Sequence, residues 1–108
     1  MIEKSYQFKN SNEKTIEKII DDNNLLLNHM ILVKGTGLPE HLSNSNVYMM
    51  IINGTLSIQL DGQEQKEYVE GNILNIPYGI KMNINNFHDE NLEFFVVKTP
   101  NPKDYKGA

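Results

Sequence analysis

From Leu25 onward the chain alternates short apolar runs with turn residues, the rhythm of strands rather than of helices. LLLNHMILVK, Leu25 to Lys34, is a run of strand length closed by Gly35, Gly37 and Pro39. Val47 to Ile52 and Thr55 to Leu60 flank Asn53-Gly54, a dipeptide whose tolerance of positive φ suits a two-residue type I′ hairpin turn. With Ile52 opposite Thr55, the register sets Ile51 against Leu56, Met49 against Ile58 and Val47 against Leu60. These apolar side chains then share one face, which is read as the core. The reverse face carries Tyr48, Met50 and Ile52 on one strand and Thr55, Ser57 and Gln59 on the other. Its apolar half needs a cover, supplied by the N-terminal segment or by a second subunit.

Asp61-Gly62 is a second hairpin signal. Continuing the same register through it would turn Gln63, Gln65 and Glu67 inward and Tyr68 outward, against the cost of burying polar groups. A bulge or a longer loop is therefore expected. Ile73 to Ile76 is a strand that runs into Pro77-Tyr78-Gly79, a sharp corner made from the fixed φ of proline and the freedom of glycine. Beyond it Met82, Ile84 and Asn86 alternate with Lys81, Asn83 and Asn85, so Met82 points inward. Leu92 to Lys98 is the last strand, apolar on both sides at Phe94 to Val97, and Pro100 and Pro102 end the sheet ahead of a tail. Ahead of Leu25 the chain is polar. Ile16, Ile19 and Ile20 fit one helical turn, while Ile16 and Ile20 also fit a strand face, and the pattern leaves both open. Short strands with turns about every 8 to 12 residues make an all-β sandwich or barrel.

Composition narrows the partners. A chain of 108 residues, 39% hydrophobic, suits a single compact domain. Its 14 acidic and 10 basic residues leave a net charge of −4 and a pI near 5.3, with no broad positive field for nucleic acid. The absence of cysteine rules out disulfides, thiolate nucleophiles and Cys-ligated zinc or iron–sulfur clusters. The apolar runs are too short to span a membrane, and MIEKSYQFKN lacks the apolar stretch of a signal peptide, so a cytoplasmic location is expected.

The spacing of the turn residues resembles the cupin superfamily over roughly residues 25 to 100. Its first motif, G-x5-H-x-H-x3-E-x6-G, is matched by Gly35, His41 and Gly54, with Ser43 at the second histidine position and Val47 at the glutamate position. Its second, G-x5-P-x-G-x2-H-x3-N, is matched by Gly71, Pro77, Gly79 and Asn86, with Met82 at the histidine position. The resemblance implies a jelly-roll β-barrel (a double-stranded β-helix), commonly a homodimer, with a ligand pocket inside. It divides the chain into an N-terminal segment at 1–24 that packs on the barrel or a partner subunit, the barrel at 25–100 and a C-terminal tail at 101–108.

The resemblance also implies a metal held by three histidines and one carboxylate, ligands suited to iron, manganese, nickel or zinc. Of these only His41 is present, so no cofactor is expected, and a metal bound through His41 is the minor alternative. His41 with Met82 and Met49 is a soft imidazole and thioether set of the kind copper(I) accepts, against which methionine as core filling is the commoner use. The expected pocket lining is His41, Ser43, Val47, Met49, Met82 and Asn86.

Other polar residues read more plainly as structure. His29, one imidazole in an apolar strand, reads as a hydrogen-bonded structural residue. Asn44 to Asn46 fit equally a pocket mouth and a solvated connection. Tyr78 reads as corner packing, Asn86 as the residue that fixes its neighbouring loop when it does not touch ligand, and His88, Asp89 and Glu90 as a solvated turn. No nucleophile elbow, phosphate loop or HExxH is present. Glu40 and His41 are adjacent and point to opposite sides of an extended segment, which disfavours them as an acid–base pair.

The sequence thus predicts a small-molecule binding or sensing module without the standard metal centre, its ligand unidentified. The alternative is an isomerase or epimerase, or a weakly metal-dependent enzyme, using His41. A third reading is a structural dimer whose pocket is filled by Met49 and Met82.

Overall fold

The computed structural model describes residues 2–105. It contains nine strands: β1 (Thr15–Asp21), β2 (Leu26–Leu32), β3 (His41–Leu42), β4 (Val47–Asn53), β5 (Thr55–Leu60), β6 (Lys66–Val69), β7 (Ile73–Ile76), β8 (Lys81–Asn85) and β9 (Leu92–Lys98). They form two antiparallel sheets packed face to face, one in the order β1-β2-β9-β4-β7 and the other β3-β8-β5-β6. A 3₁₀ turn, Pro102–Asp104, follows the last strand. No described helix is long and apolar enough to cross a membrane. The architecture is the flattened jelly-roll barrel expected for a chain of short alternating strands.

The core is built by alternation. Val47, Met49 and Ile51 of β4, Phe94 and Val96 of β9, and Met30 and Leu32 of β2 face Leu56 and Ile58 of β5 and Met82 and Ile84 of β8, all buried in one cluster. Each such side chain contributes about 1.5–3 kcal/mol relative to exposure. The inward residues of β4 and β5 are those expected from the sequence, but the hairpin is not. β4 and β5 lie in different sheets: β4 pairs with β7 and β9, and β5 with β6 and β8. At Asn53-Gly54 the chain crosses from one sheet to the other. A type I′ turn needs positive φ at both central residues, and here only Gly54 has it, at +83°. Side-chain alternation is a property of each strand alone, so it places the same residues inside whichever strand is the partner.

The second turn signal does form a turn. Asp61 and Gly62 both have positive φ, and the Gln63 N–H donates to Leu60 O at 2.8 Å, the pattern of a type I′ turn. Beyond it β6 is shifted by one residue, which sets Tyr68 opposite Leu56 and packs it against the core. That shift is the irregularity demanded by the polar Gln63–Glu67 stretch.

The N-terminal ambiguity resolves as a strand. β1 pairs with β2 as the sheet edge, with a register shift between Lys18 and Ile20, so the sheet begins ahead of Leu25. Residues before it lie over the outer face of the five-stranded sheet, where the Phe8 ring sits 4.7 Å from the His29 ring and 5.0 Å from the Phe95 ring, centre to centre. At the other end the tail is tied down as far as it is described. Asn101 is buried and its Nδ2 donates to Asp21 Oδ1 at 2.7 Å and Asp22 O at 2.9 Å, while Tyr105 stacks on Tyr78. The remainder of the predicted tail, 106–108, lies outside the described residues.

Candidate functional site

Among the described residues the sandwich has cavities at two places that bear on function. The larger, about 230 Å³, lies in the seam between the edge strands β6 and β7 and includes Tyr68, Leu74 and Ile76 in its wall. The other, about 150 Å³, lies between the sheets, lined by Met30, Leu38, Pro39, His41, Val47, Met49, Met82, Ile84, Val96 and Lys98. Its walls are the inward positions of β2, β4 and β9 on one side and of β8 on the other. Its mouth is formed by Leu38, Pro39 and the exposed His41.

Four of the predicted lining residues, His41, Val47, Met49 and Met82, meet in this interior pocket. β3 pairs with β8 so that His41 lies beside Met82, and Met82 is opposite Leu60 of β5. The His41 Nδ1 donates to Pro39 O at 2.8 Å. Because a carbonyl oxygen can only accept, this local bond places a proton on Nδ1.

Ser43 and Asn86 do not line the pocket. Both are buried and spent on backbone. Ser43 Oγ donates to Pro77 O at 2.6 Å and accepts from the Ile80 N–H at 2.8 Å, which clamps the Pro/Gly corner. Asn86 Nδ2 donates to Leu32 O and Glu90 O, both at 2.8 Å, and its Oδ1 accepts from the His88 N–H at 2.9 Å. The inward alternation assigned these two side chains correctly to the interior; the competing backbone groups there are visible only in three dimensions.

The residue missed is Lys98. It ends β9 and shares the inward face of Phe94 and Val96, and its Cα is opposite Leu26 of β2 and Val47 of β4. Alternation along FFVVK carried the signal, because a lysine in phase with Phe94 and Val96 must enter the same interior. Burial in apolar surroundings, followed by the nearby Lys18 charge, holds its amine below the usual lysine range.

Outside the pocket, His29 is fully buried between two carboxylates: its Nδ1 lies 2.7 Å from Glu17 Oε2 and its Nε2 2.7 Å from Glu93 Oε2. A bond from the Lys9 N–H, then the His29 bond, holds the Glu17 carboxyl below its usual range. His88, Asp89 and Glu90 diverge as expected. His88 Nε2 contacts Glu67 of β6, Asp89 pairs with Lys34 at 2.6 Å, and Glu90 offers only its carbonyl to Asn86.

The chain is 44% identical over 104 residues to an uncharacterised protein of Methanocaldococcus jannaschii, a match that spans 95% of this chain and 90% of that one. The crystal structure of that archaeal protein, an RmlC-like cupin family protein with a double-stranded β-helix fold, has a TM-score of 0.92 at 44% identity, with 95% of each chain covered. This chain belongs to the cupins. A cupin superfamily protein of Desulfitobacterium hafniense, at 13% identity and TM-score 0.73 over 86% of this chain and 83% of its own, shares the fold. So does a double-stranded β-helix protein of Klebsiella pneumoniae, at 16% identity and TM-score 0.75 over 88% and 84%. No family model matches the chain.

In this cupin the residues at the metal-motif positions do not fit the usual ion. Val47 carries no donor, Met82 offers only a thioether, and Ser43 Oγ is already bonded on both sides. One imidazole, His41, is short of the nitrogen and carboxylate set that divalent iron, manganese, nickel or zinc takes. Among the described residues no group of three or more His, Asp or Glu side chains is placed to hold an ion together.

Proposed function

We propose that this cupin is a small-molecule binding or sensing module whose ligand enters the interior pocket past His41. The observation that supports the reading is the convergence of His41, Val47, Met49 and Met82 on one pocket of about 150 Å³. Apolar cavities of roughly this size hold a molecule as large as benzene. Apolar walls with one or two polar groups are the general make-up of small-ligand sites, where the walls supply affinity and the polar groups orientation. No carboxylate lines the pocket beside His41, so an acid–base pair for isomerisation gains no support. The binding reading needs no metal and no cofactor.

The same reading includes a homodimer through the outer face of the five-stranded sheet. There Tyr48, Ile52 and Ile73 remain 37%, 49% and 66% exposed, in line with the partly covered Met50 and Val97. Phe8 covers the His29 and Phe95 end of that face.

The binding reading is tested by thermal shift with small acids, alcohols, amides, sugars and nucleosides. A ligand at 100 times its dissociation constant stabilises the fold by about 2.7 kcal/mol. The response is expected to vanish in Val47→Phe, which fills the pocket. A fold that no compound class shifts would leave the pocket vestigial, packed by its own methionines.

A further inference from the structure

The pocket wall carries a charge that no acidic group among the described residues answers. Lys98 projects from β9 among Met30, Val47, Met49 and Val96, and its ammonium has no ion pair among the described residues. The neighbouring cations add to the imbalance. Lys18 of β1 lies opposite Asn28 on the same inward side and is satisfied at its own strand by Asp21 at 4.0 Å. Lys14 Nζ donates to Gly37 O at 3.3 Å beside the mouth. The acidic side chain next to the mouth, Glu40, is exposed and does not line the pocket.

A second polar group without a partner lies on the same sheet face, just outside the pocket lining. Asn28 is 8% exposed on the inward face of β2, between Leu26 and Met30, and its Oδ1 is buried without a hydrogen-bond partner. Asn28 is opposite Val96, and Leu26 opposite Lys98, so the amide and the amine are diagonal neighbours on one wall. A buried polar atom left unpaired costs roughly 1–3 kcal/mol. Amide oxygen and nitrogen are assigned from their surroundings, so the unpaired end can equally present N–H donors to a bound acceptor. A desolvated ammonium walled by thioether and branched aliphatic groups, with an unpaired amide one diagonal step away on the same sheet face, is complementary to a ligand with one anionic end and one apolar end.

Resting on the binding reading above, we infer that the pocket takes a short-chain monocarboxylate, its carboxylate on the Lys98 ammonium and its apolar tail against Met49, Met82 and Ile84. The size of the cavity limits the tail to a branched or cyclic group of about five or six carbons. Burial holds the Lys98 amine below the usual lysine range, and an anionic ligand would replace the hydration that the amine has lost.

The test uses the full chain purified without an affinity tag, followed by NMR of methyl-labelled methionine. Met30, Met49 and Met82 report the pocket, and Met50, on the opposite side of β4, is the control. The probes are 3-methylbutanoate and its neutral counterpart 3-methylbutanamide. The carboxylate is expected to bind wild type at least about tenfold more tightly than the amide, the factor of one charge-assisted hydrogen bond. Lys98→Met should abolish that preference while keeping amide binding, and Lys98→Arg, which keeps the charge, should retain it. Equal binding of acid and amide to wild type would overturn the ligand class and leave the pocket a binding site. A preference that survives Lys98→Met would overturn the role of Lys98. If neither probe moves the three pocket methyls, the monocarboxylate inference is overturned, while the binding reading falls only if the thermal-shift series of other compound classes also gives no response.

Discussion

Glu17, His29 and Glu93 show how a single side chain can be read from sequence and still be misjudged in its reach. An imidazole in an apolar strand needs partners, and the strand pattern alone says so. That the partners are two carboxylates from β1 and β9, each 2.7 Å away, depends on strands far apart in the chain. Each ring nitrogen has its own carboxylate oxygen, so the imidazole is held from both sides. Glu17 is faced by the Lys9 N–H from the N-terminal segment and by His29 from β2, with Glu93 beyond the ring. Its carboxyl is lowered from an ordinary value of 4.5, first by the Lys9 bond and then by His29. A carboxyl lowered in the folded state stabilises the fold above its unfolded value, and that contribution is lost as pH falls through the folded value. Glu17→Gln should therefore be less stable than wild type at pH 7, with the deficit shrinking as pH falls below 4.5. Chemical denaturation over that range reads it. A deficit independent of pH would show that the Glu17 bonds stabilise without their charge.

At the scale of elements, the instructive place is Asn53-Gly54. The dipeptide carries a strong hairpin signal, and the two flanking strands bury the residues the hairpin would have buried, yet they belong to different sheets. The reason lies at Gly54, whose φ is +83° and where a Cβ would sit 2.5 Å from Asn91 O. Backbone from the loop before β9 occupies the space beside the crossing, so the chain is held in passage between sheets. Gly62, in the true turn, has a similar φ of +70° but open space around it. Gly62→Ala should cost only the left-handed strain, about 1–2 kcal/mol. Gly54→Ala should cost at least about 2 kcal/mol more, because backbone must move. Urea midpoints of the two variants check this, and equal losses would remove the crossing from the argument. The strands β2, β4, β5, β7, β8 and β9, with boundaries within a residue or two, and the irregularity after Asp61-Gly62 were legible because each rests on local alternation and turn chemistry, whereas β1 was left open and the short β3 and β6 carried too little pattern to be assigned. The pairing was not, since a two-residue connection between apolar strands reads alike whether the strands pair or part.

For the whole molecule, the sheet faces divide the labour: the inner faces close on the pocket and the outer face of the five-stranded sheet is left apolar and half covered. A dimer through that face predicts a mass near twice that of the chain by light scattering at micromolar concentration. Ile52→Glu or Ile73→Glu, both on exposed positions, should give a folded monomer, because charge at the centre of an apolar interface is left unpaired. A wild-type monomer, or dimers that survive both changes, would place the contact elsewhere. The sequence by itself determined the inward apolar residues of β4, β5, β8 and β9, among them Val47, Met49 and Met82, because strand period is a local property. The tertiary structure decided which strands pair, that Ser43 and Asn86 serve the backbone, and that an unanswered Lys98 stands beside an unpaired Asn28. Those outcomes depend on which distant groups compete for the same buried polar atoms, and that competition exists only once the sheets have closed.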